Sequence, residues 1–147
     1  MTQPHSLSDR EQVVDTMIGL TRLSKLHRAI VAGSDSLELC GALRRRGFMR
    51  VATPATCRAA RGQHAVGLIV GQNSFGGLEA ALAEIVQFLS ANASIAVLVG
   101  SHETGSGLRI RARLQQMGFR IEAGVRCQQG LVLSAYRRGF GALENAA

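Results

Sequence analysis

The sequence predicts an α/β fold in three layers: a mostly parallel sheet with helices on both faces, an N-terminal helix, and an antiparallel hairpin at its C-terminal end. Three observations predict it. Short apolar runs at Ala29–Ala32, Ala65–Val70 and Ser94–Val99 are separated by stretches with helical spacing, as expected for parallel strands covered on both faces. The first run passes through a polar glycine turn, Gly33-Ser34-Asp35-Ser36, straight into one of those stretches. The tail then changes to strand candidates on either side of Gln128-Gln129-Gly130, the pattern of a hairpin.

The elements follow in order. Ser8-Asp9-Arg10-Glu11 reads as a capping box opening a helix that runs to about Leu26, with Val13, Val14, Met17, Leu20 and Leu23 on one stripe. That stripe must be buried, against the chain's own sheet in the first instance or against a second subunit. Ala29–Ala32 is the first strand, and a helix follows from Ser36 to about Arg46 with Leu37, Cys40 and Leu43 inward. Arg44-Arg45-Arg46 complements the negative end of that helix, and Gly47 closes it. Met49–Thr53 is the second strand, stopped by Pro54, which opens a short helical turn through Ala60. Ala65–Val70 is a buried strand, and Phe75–Ser90 a helix with Leu78, Ala81, Leu82, Ile85, Phe88 and Leu89 on one face. Ala91-Asn92-Ala93 breaks it before the strand Ser94–Val99. Gly100–Gly107 is a polar loop, Leu108–Met117 the last helix, and Phe119–Val125 and Leu131–Arg137 the hairpin. The organisation is an N-terminal helical extension (1–27), one α/β domain (28–138) and a short tail (139–147).

Composition narrows the function classes. The 147 residues are 46% hydrophobic, enough for one domain with a real core, and no apolar run reaches the roughly 20 residues needed to span a bilayer. The polar, acid-bearing N-terminus is unlike a signal peptide, so the expected location is the cytoplasm, without a membrane partner. Cys40, Cys57 and Cys127 lie far apart with no CxxC, which argues against a disulfide framework and against a metal site. The formal charge is +7 and Lys25 is the only lysine. Such an excess points to a nucleic-acid partner, but the basic residues are scattered along the chain and aromatics are only 4%, which disfavours binding by base stacking.

In open α/β sheets ligands bind beyond the carboxyl ends of the parallel strands. That rule selects Gly33, Ser34, Asp35 and Ser36, then Thr53, then Gly71, Gln72, Asn73 and Ser74, then Ser101, His102 and Glu103. The helix N-terminus after the first strand offers unpaired N–H groups to a polar or anionic ligand. The competing structural reading is that Ser34, Asp35, Ser36 and Ser74 cap helices. His102-Glu103 is the only adjacent His–acid pair and reads as a solvated loop. No Ser–His–acid order, nucleophile elbow or Walker loop is present, so no catalytic residue is assigned.

The order of elements resembles the class I S-adenosylmethionine-dependent methyltransferases, a three-layer Rossmann-like family. Leu114-Gln115-Gln116-Met117-Gly118-Phe119-Arg120-Ile121 is similar to the family's late helix, Gly-Phe, strand passage. Leu78–Leu89 followed by Ser94–Val99 is similar to its fourth helix and fifth strand, and the resemblance spans about Arg28 to Arg138. It implies S-adenosylmethionine as cofactor, held by Gly33, Ser34, Asp35, Ser36, Thr53, Gln72, Asn73 and Ser74.

Three departures from the family pattern point to a shortened, degenerate member. The first loop has one glycine where the family's is glycine-rich. The second strand ends in Thr53-Pro54, where the family places a carboxylate on the cofactor ribose. The chain before Ala65 is too short for another strand–helix unit, so the third strand is missing. Losing the carboxylate alone removes roughly 1.5–3 kcal/mol, about tenfold or more in affinity. The expected function is therefore a non-catalytic binding or assembly module that has lost the cofactor, working with a second copy or a protein partner. Its rivals are an active methyltransferase and a basic nucleic-acid-associated protein.

Overall fold

The computed structural model describes residues 3–58, 61–71, 74–100 and 105–138. The described residues form four helices and six strands, the strands in one sheet: α1 (Gln3–Thr21), β1 (Ala29–Ala32), α2 (Ser36–Arg45), β2 (Val51–Ala52), β3 (His64–Ile69), α3 (Phe75–Val86), β4 (Leu89–Gly100), α4 (Ser106–Gln116), β5 (Arg120–Cys127) and β6 (Gly130–Tyr136). The strand order is β2-β1-β3-β4-β6-β5. β1, β2, β3 and β4 run parallel, while β6 is antiparallel to both of its neighbours, β4 and β5.

Alternation along each strand sorts the core into two layers. Val31, Val66, Leu68, Val70, Leu98 and Val132 face α1 and α2. Ile30, Ile69, Ile95, Val97, Val99 and Leu133 face α3 and α4. The α1 stripe is buried in the first layer, with Met17 fully inaccessible and Val13, Val14 and Leu23 nearly so. The chain's own sheet therefore covers it, and the stripe is not a free surface for a partner. Arg46 clips α1 to α2 by pairing with Glu11 and with Asp15 at 3.1 Å.

Some sequence expectations need correction. The first helix begins at Gln3, so Ser8 lies within it rather than at its cap; Pro4 is tolerated in the first turn, where its missing N–H has no helical acceptor to lose. On α2 the inward residues are Leu39, Cys40, Ala42 and Leu43, and Leu37 is 74% exposed. The second strand keeps only two paired residues, because its other edge has no neighbour in the sheet. Pro54 opens a single turn, closed by the Thr56 N–H donating to Thr53 O at 3.0 Å, and Ala59 and Ala60 lie outside the described residues.

The largest change is at the start of β4. Leu89 is a strand residue paired with His64, not the end of α3, and Ala91-Asn92-Ala93 lies inside the strand. Between the pairs His64↔Leu89 and Val66↔Ser94 the register shifts, so β4 bulges. Arg137 satisfies carbonyls that the bulge turns out of the ladder. Its guanidinium donates to Ser90 O at 3.2 Å and Leu89 O at 3.0 Å. Burial pushes the Arg137 pKa below its ordinary value.

Candidate functional site

The order of strands reverses at β1, with β2 on one side and β3 on the other. Loops leaving the carboxyl ends of β1 and β3 depart in opposite directions there, which is where open sheets form their ligand crevice. In this chain the two lips of that crevice touch. Gly33 has φ +110, and a β-carbon on it would lie 1.8 Å from the carbonyl oxygen of Val70. The Val70 N–H donates to Ala32 O at 3.1 Å, so the chain stays bonded to β1 one residue past the end of β3. The hydroxyl of Ser34 then donates across to the carbonyl of Gly71. Gly71 has φ +81, and a β-carbon there would stand 2.6 Å from Ser34 Oγ and 2.7 Å from Asp35 N. Both positions need glycine because backbone meets backbone with no room for a side chain.

The remaining candidates are placed as follows. Asp35 occupies the N-cap position of α2 but makes no side-chain capping bond, and both it and Ser34 are exposed. The Ser36 N–H donates to Gly33 O at 3.2 Å, which tightens the turn. Thr53 is buried beyond β2 and satisfied locally: its N–H donates to Thr56 Oγ1 at 3.0 Å, and the two hydroxyls are 3.0 Å apart. Ser74 caps α3 by accepting from Gly77 N at 3.1 Å. Gln72, Asn73, Ser101, His102 and Glu103 lie outside the described residues. The structure thus joins Gly33, Ser34 and Asp35 to the end of β3, while Thr53 and Ser74 serve their own turns. Of the expected caps, only Ser74 makes a side-chain bond to its helix.

A second cluster escaped sequence reasoning. His64 is 3% exposed at the start of β3, the opposite end of the sheet from the crevice. Its Nδ1 lies 3.1 Å from Phe88 O and so carries the proton. Nε2 is left as an acceptor, 3.7 Å from Cys57 Sγ. Burial holds the His64 pKa below its ordinary value, partly offset by the Phe88 bond and reinforced by Arg28. A neutral imidazole beside a thiol can accept its proton, but Nδ1 is spent on a backbone carbonyl rather than on an acid. Two residues seven apart, one in a connector and one opening a strand, carry no sequence signal for this contact. Among the described residues no group of three or more His, Cys, Asp or Glu could hold a metal ion. No helix is long and apolar enough to cross a membrane.

No protein-family model matches the chain, and no curated protein matches it. Solved structures do. A release-factor-specific protein-(glutamine-N5) methyltransferase from Alicyclobacillus acidocaldarius is 18% identical, with a TM-score of 0.55 over 88% of this chain and 92% of that one. The 1,6-didemethyltoxoflavin-N1-methyltransferase of Burkholderia thailandensis, solved with its substrate and S-adenosylhomocysteine, is 13% identical, with a TM-score of 0.59 over 88% and 78%. A precorrin-6y C5,15-methyltransferase from Geobacter metallireducens is 12% identical, with a TM-score of 0.58 over 86% and 88%. Together with the strand order and the antiparallel terminal pair, these likenesses show that the chain has the Rossmann-like fold of the class I methyltransferases.

Proposed function

We propose that this chain is a methyltransferase-like α/β domain that binds or assembles and does not transfer methyl groups. The observation that carries this reading is the contact between the two crevice lips. A cofactor at the switch point needs space between the loops leaving β1 and β3. Here Val70 and Gly71 pack directly on Gly33, Ser34 and Asp35. The ribose hydroxyls of S-adenosylmethionine also need acceptors beyond β2. Thr53 stands there instead of a carboxylate, and its hydroxyl already faces that of Thr56. The residues present do not fit the cofactor. Edge strand β5 offers eight residues along which a second copy or a protein partner can pair.

One specific observation favours the rival reading of an active methyltransferase: the similar Burkholderia enzyme was solved with S-adenosylhomocysteine bound. Calorimetric titration with S-adenosylmethionine and S-adenosylhomocysteine separates the two. A binding module gives no saturable heat up to about 1 mM ligand. Saturation at micromolar ligand, where an active enzyme binds its cofactor with about −8 kcal/mol, overturns the proposal.

A further inference from the structure

The basic residues that are scattered in the chain are gathered by the fold. Five strands begin, and β6 ends, at the amino-terminal end of the sheet, opposite the crevice. The described segments meeting there are residues 22–28, 44–50, 57–58, 61–64, 87–93, 117–120 and 136–138, and none contains Asp or Glu. Hydrogen bonds join them side by side. Arg50 donates to Leu26 O at 3.3 Å, Arg28 to Gln63 Oε1 at 3.2 Å, Gly62 N to Gln87 O at 3.2 Å, and Arg137 to Ser90 O at 3.2 Å. Lys25, Arg28, Arg50, Arg58, Arg61 and Arg138 are exposed along this row. Among the described residues none of the six forms an ion pair. The two bases of this end that do pair, Arg22 and Arg46, reach acids outside these segments.

We propose that this end of the sheet is a docking face for the phosphate backbone of duplex nucleic acid. Six strands about 4.8 Å apart make a face about 24 Å wide. A duplex carries a charge every ~1.7 Å of its axis with both strands counted, so that width spans about fourteen phosphates, of which only those on the facing side can be met. The cations are almost all arginine, whose planar fork suits phosphate oxygens. A protein partner is the poorer fit, because a protein interface needs an apolar, aromatic centre. The aromatics here, Phe48, Phe88, Phe119 and Tyr136, are buried or half-buried, and only Leu26 and Met49 stand out as exposed apolar residues. The same lack of exposed Phe or Tyr rings, with His27 the one exposed ring in these segments, favours a duplex over a single strand, whose bases need stacking platforms. The inference names a partner for the binding module proposed above. It stands on the face opposite the crevice, so cofactor titration and nucleic-acid titration fail independently.

The test is fluorescence anisotropy of the full chain with a labelled 16-base-pair duplex, as DNA and as RNA, at 50–200 mM salt. Six phosphate contacts predict a slope of about −5 in log K against log salt, and a loss of about a thousandfold across that range. Arg58→Glu/Arg61→Glu should weaken binding at least about tenfold at 50 mM salt. Arg111→Glu/Arg126→Glu removes the same charge from exposed positions off this face and should leave binding within about twofold. Circular dichroism melting checks that both variants fold. No binding at 50 mM salt overturns the proposal, as does equal weakening by the two variants, which would mean that net charge alone acts. Capture by anionic lipid vesicles or an acidic peptide without duplex binding also overturns it.

Discussion

Replacing Gly33 by alanine tests the contact on which the functional reading rests. The new β-carbon would land 1.8 Å from Val70 O and 2.9 Å from the Val70 carbonyl carbon. The obstacle is backbone, so it cannot rotate away, and the ends of β1 and β3 must separate. Separation gives up the Val70 N–H bond to Ala32 O and the Ser34 hydroxyl bond to Gly71 O. Holding alanine in a left-handed conformation costs about 1–2 kcal/mol, and each lost hydrogen bond about 0.5–1.5 kcal/mol. The expected destabilisation is therefore about 2–5 kcal/mol, a drop of roughly 4–20 °C in Tm for a chain of this length. Urea and thermal unfolding followed by circular dichroism measure it. Two control glycines make the result diagnostic. Gly105 shares a positive φ of +83 but has nothing within 4 Å of its β-carbon position, so Gly105→Ala should cost the backbone strain alone, about 1–2 kcal/mol. Gly19 lies within α1 with equally open space, so Gly19→Ala should stabilise by about 0.5–1 kcal/mol. If Gly33→Ala is no more damaging than Gly105→Ala, the lips of the crevice are not tightly joined and the argument from their closure is refuted.

Two further outcomes are expected. Ser74→Ala should cost about 1 kcal/mol of unfolding free energy, because its hydroxyl caps α3. Asp35→Ala, with no capping bond to lose, should cost under about 0.5 kcal/mol; an equal loss at both sites would show a role for Asp35 that the structure lacks. His64 should make the fold acid-sensitive. Its folded pKa is depressed, chiefly by burial, so the unfolded chain binds the proton more readily. The contribution is complete above about pH 6.5 and fades as pH falls towards the folded value, with a slope of at most about 1.4 kcal/mol per pH unit. Urea midpoints between pH 7.5 and 5 should fall faster in the native protein than in His64→Gln, and parallel curves would count against it.

Local pattern was enough for most of the architecture. The runs Ala29–Ala32 and Ala65–Val70 are apolar because both faces of the sheet are covered, and burial of that kind is written into single segments. It was not enough at Leu89, where an apolar residue satisfies helix spacing and strand burial equally; only pairing with His64 across the bulge decides between them. Leu37 shows the same limit from the other side. Its spacing fits the inward stripe, yet it sits in the first turn of α2 and is exposed.

The candidate site divides along the same line. The sequence by itself determined that Gly33 ends the first strand, that a polar turn opens the next helix, and that no carboxylate follows the second strand, because each is a property of neighbouring residues. It could not show that Val70 and Gly71 press on Gly33 and Ser34, since those residues are more than thirty positions apart and meet only when β3 pairs with β1. Nor could it show that arginines spread over the chain share one end of the sheet. Parallel strands joined by crossover helices return every connection to the same two ends, so charge that looks dispersed along the chain becomes a single face in space.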